Sequence, residues 1–442
     1  MQSAADDPAP ALSRTRSGGL SPRARHAGRP RRSRAHPSAT SHDHSGQHRR
    51  SDERTVFVKI DTLAVTAGRH PFAYGGTVSP PVDRAATRIF PDLDAITRAH
   101  STGKLSDFLG SRGPDQAAEA VAALEGPEAV VTLTSSGMSA LTATFLTVLR
   151  QGDHLVLPDS VFGPTREVAE NLLARLGITC SYYPPLASAA EFRAVLRPET
   201  RLVLTESPGS NTFEVQDIPM IVANAHAAGA LVAIDNSWAT PVFFRPLDFG
   251  IDFSISAATK YLAGHSDLIL GTIATRADWA KPVQDMLRLM GDTPGADDAW
   301  LLARGLRTLP LRMRQHDAST RRVLAALSGR PSVRRLLHPT QPDCPGHAFW
   351  RRDFSGASGL FGLLMDPMPD ETLNTFLAAL ELFKLGYSWG GFESLILPVA
   401  PDPARKLLSS PEGTLLRLHV GLEDPDDLIA DLDRAFQVLK KD

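Results

Sequence analysis

The feature that most constrains the fold is an alternation of short apolar runs with segments of helical length. The apolar runs have the length and the Val, Ile, Leu and Thr content of strands. They cover residues 129–134, 154–157, 178–183, 201–205, 231–234 and 253–256, and one more apolar run covers 267–274. Strands that alternate with helices predict an α/β fold with a large, mostly parallel sheet covered on both faces. Such sheets bind ligands at the carboxyl ends of their strands.

The pattern changes after about residue 300, where a smaller α+β domain is predicted. A long helical stretch comes first. It is followed by an isolated strand at 359–364, a helix near 370–382, a Gly-rich loop, a strand at 415–421 and an amphipathic helix from about Pro425. We therefore expect one domain over residues 111–300 and a second over 301–442.

The first 50 residues differ in composition from the rest of the chain. They contain ten Arg, no Lys and three acidic residues, a net charge of +7, and almost no large apolar residue. Such a segment buries too little surface to offset the entropy of ordering, so we expect a disordered basic tail over residues 1–54. Three other interpretations stay open: contact of residues 28–34 with nucleic acid, metal binding by His42, His44 and His48, or an organelle transit peptide. A start codon assigned too far upstream would also explain it.

Composition narrows the class of protein. Of 442 residues 22% are charged, and the formal net charge is −2, which gives no reason to expect a nucleic-acid or membrane partner. The two cysteines, Cys180 and Cys344, form neither a disulfide framework nor a metal-ligand cluster. No apolar run approaches the roughly 20 residues that span a bilayer. We expect a cytoplasmic protein without a bound metal.

Lys260 directly follows the predicted strand 253–256 and is the first candidate for chemistry. A desolvated lysine has a lowered pKa and can attack an aldehyde as a neutral amine. On position alone, a lysine that extends to the surface beside its strand is the more common case. Asp235 ends the run 231–234 and is placed to hold a protonated pyridine nitrogen, although it could instead cap a helix. The turn at 135–139 joins a strand to a helix and could bind a phosphate.

The stretch from Asp252 to Ser266 resembles the pyridoxal-phosphate (PLP) attachment signature of the Cys/Met metabolism PLP-dependent enzyme family. The resemblance runs from about Asp61 to the C-terminus. Its further motifs are Asp61–Gly68, Pro80–Val82, Leu124–Gly126, Glu206–Ser210 and Asp235–Trp238, in the order expected for the family.

The resemblance implies the fold-type I (PLP-dependent transferase-like) architecture and PLP as cofactor. It implies that Lys260 holds the cofactor and acts as general base, and that Asp235 faces the ring nitrogen. The phosphate would be held by Gly137, Met138, Ser256 and Thr259, and Phe162 would stack on the ring. The domain over residues 111–300 would bind the cofactor.

Within the family, the C-terminal motifs are most similar to bacterial cystathionine β-lyases. These motifs are Tyr387–Leu395 and Gly413–Asp424. The similarity implies cleavage of cystathionine, or of a related cysteine thioether, to a thiol, pyruvate and ammonia. It implies that Tyr387 is catalytic, that Arg417 grips the substrate carboxylate and that Ser388 and Trp389 contact the substrate. It also implies a homotetramer, a dimer of dimers, with residues 55–110 against a neighbouring subunit.

Two positions depart from the family's pattern. A Tyr-Gly-Arg motif is expected before residues 124–126, but Ser106 and Phe108 stand at its two functional positions. The tyrosine expected to stack on the ring is Phe162, which lacks a hydroxyl. These departures leave open a divergent PLP enzyme of the same family, acting by γ-replacement, γ-elimination or in specialised metabolism. A PLP-binding protein without catalysis is a further alternative.

Overall fold

The computed structural model describes residues 58–101, 110–400, 405, 407 and 412–439. The predicted basic tail, with its three histidines, lies outside the described residues. So do Ser106 and Phe108.

Twelve strands are seen in the described residues, and they form two sheets. The first seven are β1 (Val130–Thr134), β2 (His154–Pro158), β3 (Thr179–Tyr183), β4 (Thr200–Glu206), β5 (Leu231–Asp235), β6 (Phe253–Ser256) and β7 (Gly271–Thr275). The other five are β8 (Val333–Leu337), β9 (Leu360–Met365), β10 (Lys384–Leu385), β11 (Leu395–Pro398) and β12 (Thr414–His419).

The helices of the described residues cover both sheets. They are α1 (Ile60–Thr66), α2 (Leu93–Ser101), α3 (Gly113–Glu125), α4 (Gly137–Val148), α5 (Gly163–Glu167), α6 (Ala189–Val195), α7 (Ile218–Ala227), α8 (Thr240–Phe243), α9 (Ala277–Met290), α10 (Ala296–Leu306), α11 (Leu309–Leu327), α12 (His347–Asp353), α13 (Asp370–Ala378) and α14 (Pro425–Val438). Single-turn segments lie at Pro71–Tyr74 and Pro246–Phe249, and a π-helical segment lies at Val168–Leu173.

The large sheet has the order β1-β7-β6-β5-β4-β2-β3. Strands β2 to β6 pair in parallel, and only β7 of this sheet runs against its neighbours β1 and β6. The expected α/β fold is confirmed, with one reversed strand in a mostly parallel sheet. The carboxyl ends of β1, β4, β5 and β6 therefore share one edge.

Strands β2, β4 and β5 in the middle of this sheet are mostly buried on both faces, which explains why they are nearly continuous apolar runs, whereas the edge strand β3 is only partly buried. Side chains alternate between the faces. Val156 and Val232 pack in one apolar cluster, whereas their neighbours Leu157 and Ala233 pack in another. The helices on both sides keep water from the strands and leave only the strand ends accessible.

The smaller sheet has the order β10-β11-β12-β9-β8. The strand predicted at 359–364 is present in this sheet, but it is not isolated. That strand is β9, and it pairs antiparallel with β12 and β8. The sequence pattern missed β8 because Arg334 and Arg335 interrupt its apolar run. Both arginines turn to acidic partners, Asp366 at 2.7 Å and Asp343 at 3.0 Å.

Among the described residues, no helix is both long enough and apolar enough to cross a membrane.

Candidate active site

Acidic and hydroxyl side chains end three neighbouring parallel strands at the same edge of the large sheet. Glu206 ends β4, Asp235 ends β5 and Ser256 ends β6, and Glu206 lies in register with Asp235. Burial raises the pKa of Asp235, against the opposing effect of the Ser237 N–H, which donates to its Oδ1 at 2.9 Å. A partly buried carboxyl group that forms no ion pair with any described residue is suited to a cationic ring nitrogen.

Lys260 follows β6 in a tight turn and lies beside this edge. Its Nζ donates to the Ser388 hydroxyl at 2.9 Å and lies 5.1 Å from the centroid of the Trp389 ring. Desolvation first, and then the charge of the Arg417 guanidinium, lower the pKa of Lys260 to about 8, against the opposing effect of Asp235. A large fraction of the amine is therefore neutral near pH 8, as a nucleophile or base requires.

The loop after β10 packs directly on the backbone of the lysine turn. Gly390 has φ +86°, and a Cβ at this position would lie 2.8 Å from the Tyr261 nitrogen and 3.0 Å from the Lys260 Cα. Only glycine combines this backbone conformation with so close an approach. The glycine thus lets Ser388 and Trp389 reach the lysine amine.

Arg417 lies on β12, and its guanidinium donates to the backbone carbonyl of Tyr387. Burial lowers the pKa of Arg417 from its usual range. Tyr387 is 86% exposed, so this residue contacts the site through its backbone carbonyl. Arg417, Ser388, Trp389 and Lys260 are brought together, whereas the Tyr387 ring faces solvent.

A chain of hydrogen bonds through His419 and Tyr261 also holds the loop at residues 387–391 in place. The His419 Nε2 lies 3.1 Å from the Gly391 carbonyl and therefore carries the proton, because a carbonyl only accepts. Its Nδ1 then accepts from the Tyr261 hydroxyl at 3.4 Å, which in turn accepts from the Gly359 N–H at 2.9 Å. Burial holds the pKa of His419 well below its usual value, so the ring stays neutral.

The turn between β1 and α4 has donors free for an anion. Ser136 caps α4 by accepting from the Ser139 N–H at 3.0 Å, which leaves the first N–H groups of the helix, those of Gly137 and Met138, for a ligand. A Cβ on Gly137 would lie 2.8 Å from that of Ala257, so only glycine permits this approach to the lysine turn.

The two hydroxyl residues predicted to hold the phosphate differ in the structure. The Ser256 hydroxyl is buried and has no hydrogen-bond partner among the described residues. The Thr259 hydroxyl already bonds the backbone of Leu270, with its N–H at 3.1 Å and its carbonyl at 3.2 Å. The Ser256 hydroxyl can therefore donate a hydrogen bond to a phosphate, whereas the Thr259 hydroxyl stabilises its own turn.

Phe162, the predicted ring-stacking residue, is held by Glu206, which opens one of the family motifs but had no predicted role. Its backbone N–H donates to the Glu206 carboxyl group at 2.8 Å, and its side chain is 41% exposed. Burial, then the neighbouring Asp235, raises the pKa of Glu206 well above its usual value. A Glu that ends a buried strand was the available sequence signal.

These residues fit PLP. The strand edge offers an amine of lowered pKa in Lys260 and a partly buried carboxyl group in Asp235. For a phosphate it offers a helix N-terminus and a hydroxyl, that of Ser256, with no hydrogen-bond partner among the described residues. This combination, on a mostly parallel sheet, is typical of PLP-dependent enzymes of fold type I.

Comparisons with known proteins identify the family. The model of the Cys/Met metabolism PLP-dependent enzyme family matches residues 61–437, so the chain belongs to this family and uses PLP. It is 44% identical over 384 residues to a putative cystathionine β-lyase of Rhizobium johnstonii, across 85% of this chain and 96% of that relative. It is 42% identical over 391 residues to the cystathionine β-lyase of Escherichia coli K12, across 86% and 98%.

A solved structure supports the same fold. The chain superposes on metB of Corynebacterium glutamicum with a TM-score of 0.79 and 26% identity. The match covers 87% of this chain and 99% of that one. The fold-type I prediction is thus confirmed.

Proposed function

We propose that the chain is a carbon–sulfur β-lyase that cleaves cystathionine, or a closely related cysteine thioether, to a thiol, pyruvate and ammonia. The observation that carries the proposal is the contact of the loop at residues 387–391 with two side chains. In this loop, the Ser388 hydroxyl accepts from the Lys260 amine, and the Tyr387 carbonyl accepts from the Arg417 guanidinium. The relatives named cystathionine β-lyase, at 44% and 42% identity, support the same reaction.

Each residue has a role that its surroundings support. Arg417 binds the substrate α-carboxylate, because a partly buried guanidinium forms paired hydrogen bonds with a carboxylate. Lys260 receives the α-proton at Nζ, and Ser388 keeps that atom aimed across the site. When bound, PLP supplies a protonated ring that withdraws electrons from the α-carbon. Asp235 keeps the ring nitrogen protonated.

The remaining site predictions concern the phosphate, the ring and the substrate. Gly137, Met138 and Ser256 hold the phosphate through two N–H groups and one hydroxyl, and Thr259 shapes the turn beside them. Phe162 stacks on the ring without a hydroxyl. Trp389 lines the substrate pocket beside the Lys260 amine. Tyr387, which lies on the exposed side of the loop at residues 387–391, is the further catalytic candidate.

The assembly and the location of the protein are also proposals. We propose a homotetramer in the cytoplasm, with residues 55–110 against a neighbouring subunit. The cofactor would be held by residues 111–300, and residues 301–442 would contribute Arg417 and the loop over the lysine.

The test is a spectrum followed by an assay. The purified protein should show a visible absorption band that is absent from a Lys260→Ala variant. L-cystathionine should then yield pyruvate and one free thiol in equal amounts. A band without pyruvate would refute the lyase, and 2-oxobutyrate in place of pyruvate would show elimination at the γ-carbon instead.

A further inference from the structure

Asp292 contacts the turn at the N-terminus of α4, although it comes from a different part of the chain. It follows Gly291, whose φ of +70° ends α9. One oxygen of its carboxylate accepts from the Ser135 N–H at 2.8 Å, and the other accepts from the Ser139 hydroxyl. Asp292 thus holds both sides of the turn that carries Gly137.

The charge of Asp292 is not neutralised locally. The first turn of α4 contains no acidic residue, so Asp292 is a carboxylate brought to this helix end from outside. No ion pair joins it to any residue that the structure describes. A negative charge stabilises a helix N-terminus, but it repels a second anion bound to the same N–H groups.

We propose that Asp292 is a positioning residue of the cofactor site, whose carboxylate orders the phosphate-binding turn while its charge weakens the affinity of that turn for the phosphate. The inference rests on the assignment of the phosphate to Gly137 and Met138 made above. Asp292 itself does not bind the phosphate in this proposal, because its two oxygens face Ser135 and Ser139 and an ionised carboxylate has no proton to donate to an anion.

Two substitutions separate the hydrogen bonds from the charge. Asp292→Asn keeps an acceptor for the Ser135 N–H and a polar group for the Ser139 hydroxyl, but removes the charge. Asp292→Ala removes all three. Ser139→Ala removes one hydrogen bond and keeps the charge, so it serves as the matched control.

The experiment measures dissociation constants of the cofactor-free protein for PLP and for pyridoxal, which lacks the phosphate. We expect Asp292→Asn to bind PLP roughly threefold or more tightly than the parent, with pyridoxal affinity unchanged. Asp292→Ala should bind PLP more weakly than Asp292→Asn, and Ser139→Ala should not bind it more tightly than the parent. Thermal unfolding of each variant checks that the fold is retained.

The outcomes that overturn the proposal are distinct. Equal PLP affinity of the parent and Asp292→Asn would show that the charge of Asp292 does not weaken phosphate binding. An equal gain for pyridoxal would show that the phosphate is not involved, and equal affinities of the Asn and Ala variants would remove the positioning role. Failure of the parent to bind either compound would instead refute the assignment of the cofactor to this site.

Discussion

The lowered pKa of Lys260 predicts how the cofactor-free protein captures PLP. Only the neutral amine attacks an aldehyde, so the capture rate should rise with pH through a midpoint of about 8. The Arg417 charge contributes to this lowering, so Arg417→Gln should move the midpoint to higher pH. Stopped-flow absorbance between about pH 6 and 10 measures both profiles. An unchanged midpoint in the variant would contradict the coupling.

The raised pKa of Glu125 predicts that the stability of the folded protein depends on pH. Glu125 is fully buried, and burial raises its pKa to about 8, while the Ser254 hydroxyl is its one side-chain hydrogen-bond partner among the described residues. The folded state therefore keeps a proton that the unfolded chain releases near its ordinary pKa of 4.5. Stability from this group is present below that pH and is lost as pH rises towards 8.

Glu125→Gln should remove this loss. Relative to the parent, we expect the variant to gain about 3–4 kcal/mol in free energy of unfolding between pH 5 and pH 8. Urea unfolding of both proteins at the two pH values gives the difference, in which contributions from the buried histidines cancel. A difference that does not change with pH would show that Glu125 is ionised in the folded protein.

Part of the site could be located from the sequence because its residues end or follow apolar strands. Lys260, Asp235 and Ser256 are candidates of this kind. Asp292 and His419 could not be found in the same way, because their roles depend on contacts between distant segments. The hydrogen bond from Ser135 to Asp292 joins residues 157 positions apart, and no local pattern encodes it.

At the scale of elements, the close packing of the loop at residues 387–391 on Lys260 predicts that a substitution of Gly390 strongly lowers activity. In Gly390→Ala, the new methyl group would meet backbone atoms of residues 260 and 261, which cannot move independently of the lysine turn. The loop should shift, and the hydrogen bond between Lys260 and Ser388 should be lost. We expect kcat/KM for L-cystathionine to fall at least about 100-fold, since small misplacements at a reacting centre have effects of this size.

Gly152→Ala is the matched control for that prediction. Gly152 has a similar φ of +91°, but a Cβ there meets no atom within 4 Å. Both variants should lose about 1 kcal/mol of stability from the strained backbone, and only Gly390→Ala should lose activity. Equal activities of the two variants would mean that the approach to Lys260 is not needed for catalysis.

The elements of the large sheet were predictable in a way that those of the smaller sheet were not. The central strands that are buried on both faces are mostly apolar runs, as at 231–234, which the structure extends by one residue to Asp235. Strand β8 carries two arginines, and β10 has only two residues, so neither produces a recognisable pattern. The apolar run that became β7 does not reveal that this strand pairs antiparallel with β1 and β6.

At the scale of the whole molecule, the N-terminal part of the described chain exposes an unusual amount of apolar surface. Phe72 is 95% exposed, Ile89 is 97% exposed and Leu93 is 79% exposed. Helix α2, which begins at Leu93, contains no buried residue at all. Apolar surface of this kind marks a contact with another protein, and here we expect a second copy of the chain.

Oligomer mass tests this expectation directly. The chain has a mass of 47.7 kDa, and a homotetramer would have four times that mass by light scattering. Ile89→Asp places a charge in the expected interface and should shift the protein to a smaller species, with loss of bound PLP if a neighbouring subunit completes the site. Leu289→Asp is the control, because Leu289 is 74% exposed on α9, outside the N-terminal segment. A parent that is monomeric, or an Ile89→Asp variant that keeps the mass of the parent, would show that this apolar surface does not hold subunits together.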